Sequence, residues 1–205
     1  MNRSTSGLRQ IRGNRVKQVA YCLFETPLGS CGIAWDEGVS SGASYAVTLF
    51  QLPEATAELT ESRIARNSGA ARSSKIPLQV TNICKRVCYH LNGALQDFRD
   101  IPVDLDGVGP FVRKVCEAAR EIPVGQTVTY ADLANTLGRP SLARAVGRAL
   151  GRNPIPLIIP CHRVMAAHGK PGGFSAFGGR VTKAKLLAIE GAVVNLCLEL
   201  DAGYR

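Results

Sequence analysis

The spacing of apolar positions changes partway along the chain. Residues 19–24 (VAYCLF) and 31–35 (CGIAW) are rich in residues that favour pleated backbone. The TPLG between them has turn chemistry, so the two runs read as a β-hairpin. Tyr45–Leu52 reads as a third strand. Beyond residue 53 the period lengthens. PEATAELTESRIARN reads as a helix and SGAARSSK as a loop. QVTNICKRVCYHLNGAL reads as a second helix with Ile83, Val87 and Leu91 at i, i+4 and i+8. RDIPVDLDGVG has the composition of a linker, which places a boundary near residues 100–108.

The second half is mostly helical. PFVRKVCEAARE begins with Pro110 at a first helical position and sets Phe111, Val115, Ala118 and Ala119 on one face. Thr129 and Asp132 stand in capping-box spacing and open a helix carrying Tyr130, Leu133, Ala134 and Leu137, which stops at Gly138. After a GRP turn, Ser141 is the expected cap of LARAVGRALGRN. Two short helices on a tight turn make either a helix-turn-helix or a plain helical hairpin. The second helix favours the former. Leu142, Val146, Ala149 and Leu150 share one face; Arg144, Gly147, Arg148 and Gly151 share the other. A glycine costs a helix interior about 1 kcal/mol against alanine. That cost brings a gain only where another molecule must approach the backbone closely, and arginine beside it suits a nucleic-acid groove.

Net charge sharpens this picture. Of the overall +9, residues 1–106 carry 12 Lys/Arg against 10 Asp/Glu, and residues 107–205 carry 13 against 6. Nine basic residues and no acidic one lie between Asp132 and Glu190. Such a one-signed run is either a solvated basic face or the footprint of a polyanionic partner. No run of 18 apolar residues exists, so no membrane partner is expected. The start, MNRSTSGLRQIRGNRVK, lacks the apolar core of a secretory signal and reads as a basic arm over 1–17. Seven irregularly spaced cysteines without an export signal imply free thiols in a reducing compartment.

One of those thiols has chemistry beside it. In IIPCHRVM, Leu157–Ile159 reads as a short apolar strand that Pro160 ends, exposing Cys161 next to His162 and Arg163. Cys161 is either an inert core thiol or a nucleophile whose proton His162 takes. Glu190 falls in the last turn of the closing helix VTKAKLLAIEG, before the stop at Gly191. The helix dipole disfavours an anion there, so it needs a partner, either His162 or a surface lysine.

SLARAVGRALGRNP, IPCHRV, GGFS and AIEG, within about residues 107–192, resemble the O6-alkylguanine-DNA alkyltransferases; FETPLGSCGIAW resembles the start of that family's variable N-terminal domain. The resemblance implies an α/β protein. Residues 18–102 would form an α/β domain with a small antiparallel sheet. Residues 107–205 would form a mainly helical domain whose helix-turn-helix binds duplex DNA through the minor groove. It further implies single-turnover repair: a flipped O6-alkylguanine, and also O4-alkylthymine, gives its alkyl group to Cys161 for good. By position, Cys161 matches the acceptor, His162 the base, Glu190 the acid that orients it, and Asn153 the brace of the turn. Tyr130 matches the residue that turns the phosphate and donates to guanine N3, and Arg144 the finger filling the vacated stack. Gly147, Arg148 and Arg152 fall on the implied DNA-binding surface. Tyr130, Met165, Phe174 and Ser175 fall around the base pocket.

The resemblance implies no cofactor, a monomer, and a cytoplasmic, nucleoid-associated or nuclear location. There are departures. SAFGG is longer than the loop of the best-known members, and Ala167 stands where some have serine. Some members hold a structural zinc. Cys22, Cys31, Cys84, Cys88 and His90 are available here, but their spacing is not that of a standard zinc pair. Replacing Glu190 by glutamine is expected to slow the chemistry and leave the fold intact. The competing classes are a lesion sensor or helix-turn-helix regulator that binds without reacting, and a cysteine hydrolase that turns over.

Overall fold

The computed structural model describes residues 18–37 and 45–192. The expected basic arm, 1–17, and the end of the chain, 193–205, lie outside the described residues.

Strands β1 (Val19–Thr26) and β2 (Gly29–Asp36) form the expected hairpin, in register from Val19↔Asp36 to Thr26↔Gly29. β3 (Ala46–Gln51) pairs antiparallel with β2. Helix α1 (Ala57–Ser68) follows, capped by the Thr56 side chain and ended by left-handed Gly69. SGAARSSK is not wholly a loop. Ala71–Arg72 form a short β4 that pairs parallel with β1, so the sheet, ordered β3-β2-β1-β4, is mixed rather than purely antiparallel. Two residues are too few to register as a period in the sequence. Helix α2 is Leu78–Leu91.

Alternation along the strands sorts side chains to two faces. Tyr21 and Ala34 pack with Ile64 of α1 on one face. Gly32 permits that packing, because a Cβ there would lie 2.7 Å from Ile64 Cδ1. On the other face Cys22, Cys31, Ile33 and Trp35 meet Val80, Ile83 and Val87 of α2. This second core continues without a break into Val115, Val146, Ile155 and Leu186 of the other half.

In that half, α3 (Pro110–Arg120) has Pro110 in its first turn as expected. Its buried face is Val112, Val115, Cys116 and Ala119, turned slightly from the expected one. β5 (Val128–Thr129) leads into α4 (Tyr130–Thr136), with the Thr129–Asp132 capping box formed in both directions. Ser141 is not a cap. It lies in a 3-10 turn, Pro140–Leu142, and α5 (Ala143–Leu150) starts from Leu142 without a side-chain cap. Pro140 fixes a tight turn before the helix can begin. Leu157–Ile159 is not a strand either. Ile155 O accepts the Ile159 N–H at 2.8 Å and Leu157 takes the left-handed conformation, φ 74°. A side chain there costs about 1–2 kcal/mol, which burial of Ile155, Leu157 and Ile159 offsets. A 3-10 turn, Cys161–Arg163, precedes β6 (Val164–Met165), which pairs parallel with β5, and α6 (Arg180–Ile189) closes the fold before left-handed Gly191.

Candidate active site

Cys161 reaches the floor of an open cleft of about 970 Å³ because two loops are clamped. The Asn153 side chain donates to the Ile159 carbonyl and accepts the Ile155 N–H, both at 2.9 Å. Edge strand β3 grips the same turn, Phe50 N–H donating to the Pro154 carbonyl at 2.9 Å. The β5–β6 pair then sets Tyr130, the first residue of α4, across from the cysteine turn. Arg144, Gly147 and Arg148 of α5, with Gly151 just past its end, form one wall, and Phe174 and Ser175 of the loop before α6 another. Tyr130 fits because its neighbour is Gly172, φ 65°, where a Cβ would lie 3.1 Å from the phenol oxygen.

Behind the thiol lies a buried ionic cluster. His162 Nε2 is 2.9 Å from Glu190 Oε1. Arg163 donates from Nε to Oε2 and from Nη2 to Oε1, each at 2.9 Å, and from Nη1 to the Ile122 carbonyl at 2.6 Å. His90 Nε2, from α2, is 3.1 Å from Oε1. Burial alone would raise the Glu190 carboxyl; bonds from His162, His90 and Arg163 overcome it and hold the acid well below the usual carboxylate range. Glu190 is therefore an anion that only accepts, so His162 carries its proton on Nε2 and keeps the Nδ1 lone pair free. Burial lowers the His162 imidazole below its ordinary value, against the bond and charge of Glu190. Burial pushes the Cys161 thiol up, opposed by the Asn153 side chain and the charge of Lys183.

Lys183 is fully buried on α6. Its Nζ donates to the Val164 carbonyl at 2.5 Å and lies 5.8 Å from the centre of the Tyr130 ring. Desolvation lowers its pKa to about 8. Chemically, the arrangement supplies a thiol, a neutral base, an anion that stabilises that base when protonated, and a cation that favours the thiolate.

The structure brings Cys161, His162, Glu190 and Asn153 together, and gathers Tyr130, Arg144, Gly147, Arg148, Phe174 and Ser175 at the cleft. Arg152 is exposed beyond the end of α5 and does not line the cleft. Met165 corrects an expectation: it is buried in β6 rather than lining the cleft, because pairing to β5 turns it inward. Glu190 is not partnered by a surface lysine. Its removal would leave Arg163 in the interior without its anionic partner, which argues against the expectation that glutamine there leaves the fold intact. Two of the nine cations of the basic run, Arg163 and Lys183, point inward, leaving seven exposed.

Sequence reasoning gave no catalytic role to Arg163, Lys183 or His90. Each had a signal. Lys183 and His90 fall on the apolar stripes of their helices, with Leu186 and Leu187, and with Val87 and Leu91. The residues considered for zinc do not fit it. His90 spends both ring nitrogens, one on Glu190 and one accepting the Gln96 N–H, and Cys88 Sγ donates to the Glu25 carbonyl. Among the described residues no group of three or more His, Cys, Asp or Glu could hold a metal ion, and no helix is long and apolar enough to cross a membrane.

Fold and site together set a thiol in a cleft beside two short helices joined by a tight turn. Residues 110–192 match the family described as 6-O-methylguanine DNA methyltransferase, DNA binding domain. The chain is 34% identical over 172 residues to a methylated-DNA–protein-cysteine methyltransferase of Methanosarcina acetivorans, covering 84% of this chain and 98% of that protein. It is 33% identical over 172 residues to the protein of that name from Mycobacterium tuberculosis, covering 84% and 92%. The structure of Mycobacterium tuberculosis OGT in complex with DNA matches with a TM-score of 0.65 at 29% identity, over 84% of this chain and 92% of that one. The O6-methylguanine-DNA methyltransferase of the archaeon Pyrococcus kodakaraensis matches at 0.60 and 28%, over 85% and 99%. The chain belongs to the O6-methylguanine DNA methyltransferase family.

Proposed function

We infer that the protein is a methylated-DNA–protein-cysteine methyltransferase, repairing O6-methylguanine in DNA directly. One observation carries the reading most: a thiol at the floor of a cleft walled by the arginine–glycine face of α5, backed by the His162–Glu190 pair. In the proposed step His162 takes the Cys161 proton through water. The thiolate attacks the methyl carbon, the S–C bond forms as the C–O6 bond breaks, and the electron pair leaves on guanine, which takes up a proton. Tyr130 donates to guanine N3, and the positive Lys183 beside its ring eases that donation. Arg144 fills the vacated stack while Arg148 and Arg152 hold phosphates. Phe174 and Ser175 edge the base pocket.

The reading extends to O4-methylthymine, to minor-groove docking by a monomer, and to a division into domains 18–102 and 107–205. The thioether is a dead end for the chain in this reading, because returning the methyl group would require expelling thiolate from an unactivated S–C bond. Titrating the protein with excess methylated duplex tests this: one lesion lost per chain supports a transferase, none a sensor, and many a hydrolase.

A further inference from the structure

His90 is buried on the inner face of α2, in the half of the chain that does not carry the thiol, yet its ring meets the carboxylate on which His162 depends. Its Nδ1 accepts the Gln96 backbone N–H at 3.1 Å, and its Nε2 lies 3.1 Å from Glu190 Oε1. The first bond decides the second. A ring nitrogen that accepts carries no proton, so His90 keeps its proton on Nε2 and donates it to Glu190. With Nδ1 occupied as an acceptor, Nε2 is the ring's donor. The Phe98 ring, 5.1 Å away centre to centre, fixes its plane. Oε1 of Glu190 is thus shared among His162, His90 and Arg163.

We propose that His90 is a positioning residue of the alkyl-transfer relay, reaching from α2 to hold Glu190 Oε1 against His162 and to draw off part of its negative charge. The proposal rests on the transferase reading above. His90 touches no reacting atom and acts through Glu190. Each donor on Oε1 weakens its pull on the His162 proton, so His90 keeps His162 neutral and able to accept. The charged and titratable groups around the pair are Glu190 and Lys183 of α6, Cys161 and Arg163 of the cysteine turn, and Asp97 after α2. Arg86 lies over Phe98, and Arg120 of α3 reaches the Phe98 carbonyl.

Two variants of the full chain separate donor from shape. In His90→Gln the amide nitrogen stands where Nε2 stood and keeps the bond to Glu190. His90→Asn keeps a polar group where Nδ1 stood and loses that bond. Single-turnover transfer from methylated duplex is followed against pH, and the His162 ring is titrated by NMR in unreacted protein. The expected result is that Gln keeps the wild-type acid limb while Asn moves it up by about one pH unit, with the His162 titration moving alike. Superposed limbs for all three proteins would overturn the proposal, as would equal shifts for Gln and Asn. If Asn does not fold, His90→Met fills the space without a donor and is expected to shift as Asn does. Should wild type form no methyl adduct, the transferase reading fails, while the NMR titration still decides whether His90 tunes His162.

Discussion

Arg163 grips Glu190 with two parallel bonds of 2.9 Å, and both side chains are buried. A forked pair of this kind fixes the plane of the carboxylate as well as its position. The orientation of His162 is therefore inherited from Arg163, and the acid proposed to serve the chemistry also pairs a buried cation of the fold.

Glu190→Gln is expected to lose about 3–5 kcal/mol of stability, because it leaves Arg163 charged and unpaired in the interior. Glu190→Gln combined with Arg163→Met should recover much of that loss and none of the activity. Urea unfolding of the single and double variants measures this. Strict additivity would mean that the two side chains are not coupled.

The pH dependence of stability follows from the same cluster. The Glu190 carboxyl is held below its unfolded value, so its contribution is complete above about pH 5 and is lost as pH falls below about 4 toward the folded value. His162 is also lowered, so buried neutral His162 favours the fold above about pH 6.5, and that contribution fades as pH falls below it. Both act in one direction. Denaturant midpoints should fall from pH 7 to pH 4, and the fall should be shallower in His162→Phe.

Lys183 is shifted in the same sense as His162, so its cost is full below about pH 8 and is relieved as pH rises toward the unfolded value. With a folded pKa of about 8, its charge is held in the interior at neutral pH at a penalty of roughly 3 kcal/mol. Lys183→Met should keep or raise the melting temperature while slowing transfer, since the thiolate loses a cation and Tyr130 loses its neighbour. A variant that melts early but transfers at the wild-type rate would make Lys183 a purely structural residue.

Arg144 is exposed on the cleft wall and bonds to no described residue in a way that would hold the fold. Arg144→Ala should slow repair of duplex by roughly tenfold, the weight of an anchor worth about 1–2 kcal/mol, and leave reaction with free O6-alkylguanine unchanged. Equal loss on both substrates would show that Arg144 shapes the pocket itself.

The elements that name the architecture could be read from local pattern. The β1–β2 hairpin, the Thr129–Asp132 box and the apolar face of α5 are each decided by neighbours in sequence, and each formed. Leu157–Ile159 could not be read so. Its run of Leu, Ile and Ile looks like a strand, yet Asn153 and the edge of β3 fold it into a turn with Leu157 left-handed. Those partners come from elsewhere in the chain. The site was legible where its residues sit in one motif, as with Cys161 and His162. His90 lies 100 residues from Glu190, and only tertiary packing joins them. Lys183 and Arg163 were counted with the basic run because charge counting does not see which way a side chain points.

The central claim is that Cys161 accepts the methyl group and keeps it. Intact-mass measurement with peptide mapping, after incubation with duplex containing O6-methylguanine, tests it most directly. The expected result is one methyl per chain, on the peptide carrying Cys161, and none on Cys161→Ala, which should still bind DNA. A methyl group on another cysteine, or lesion loss by Cys161→Ala at the wild-type rate, would contradict it.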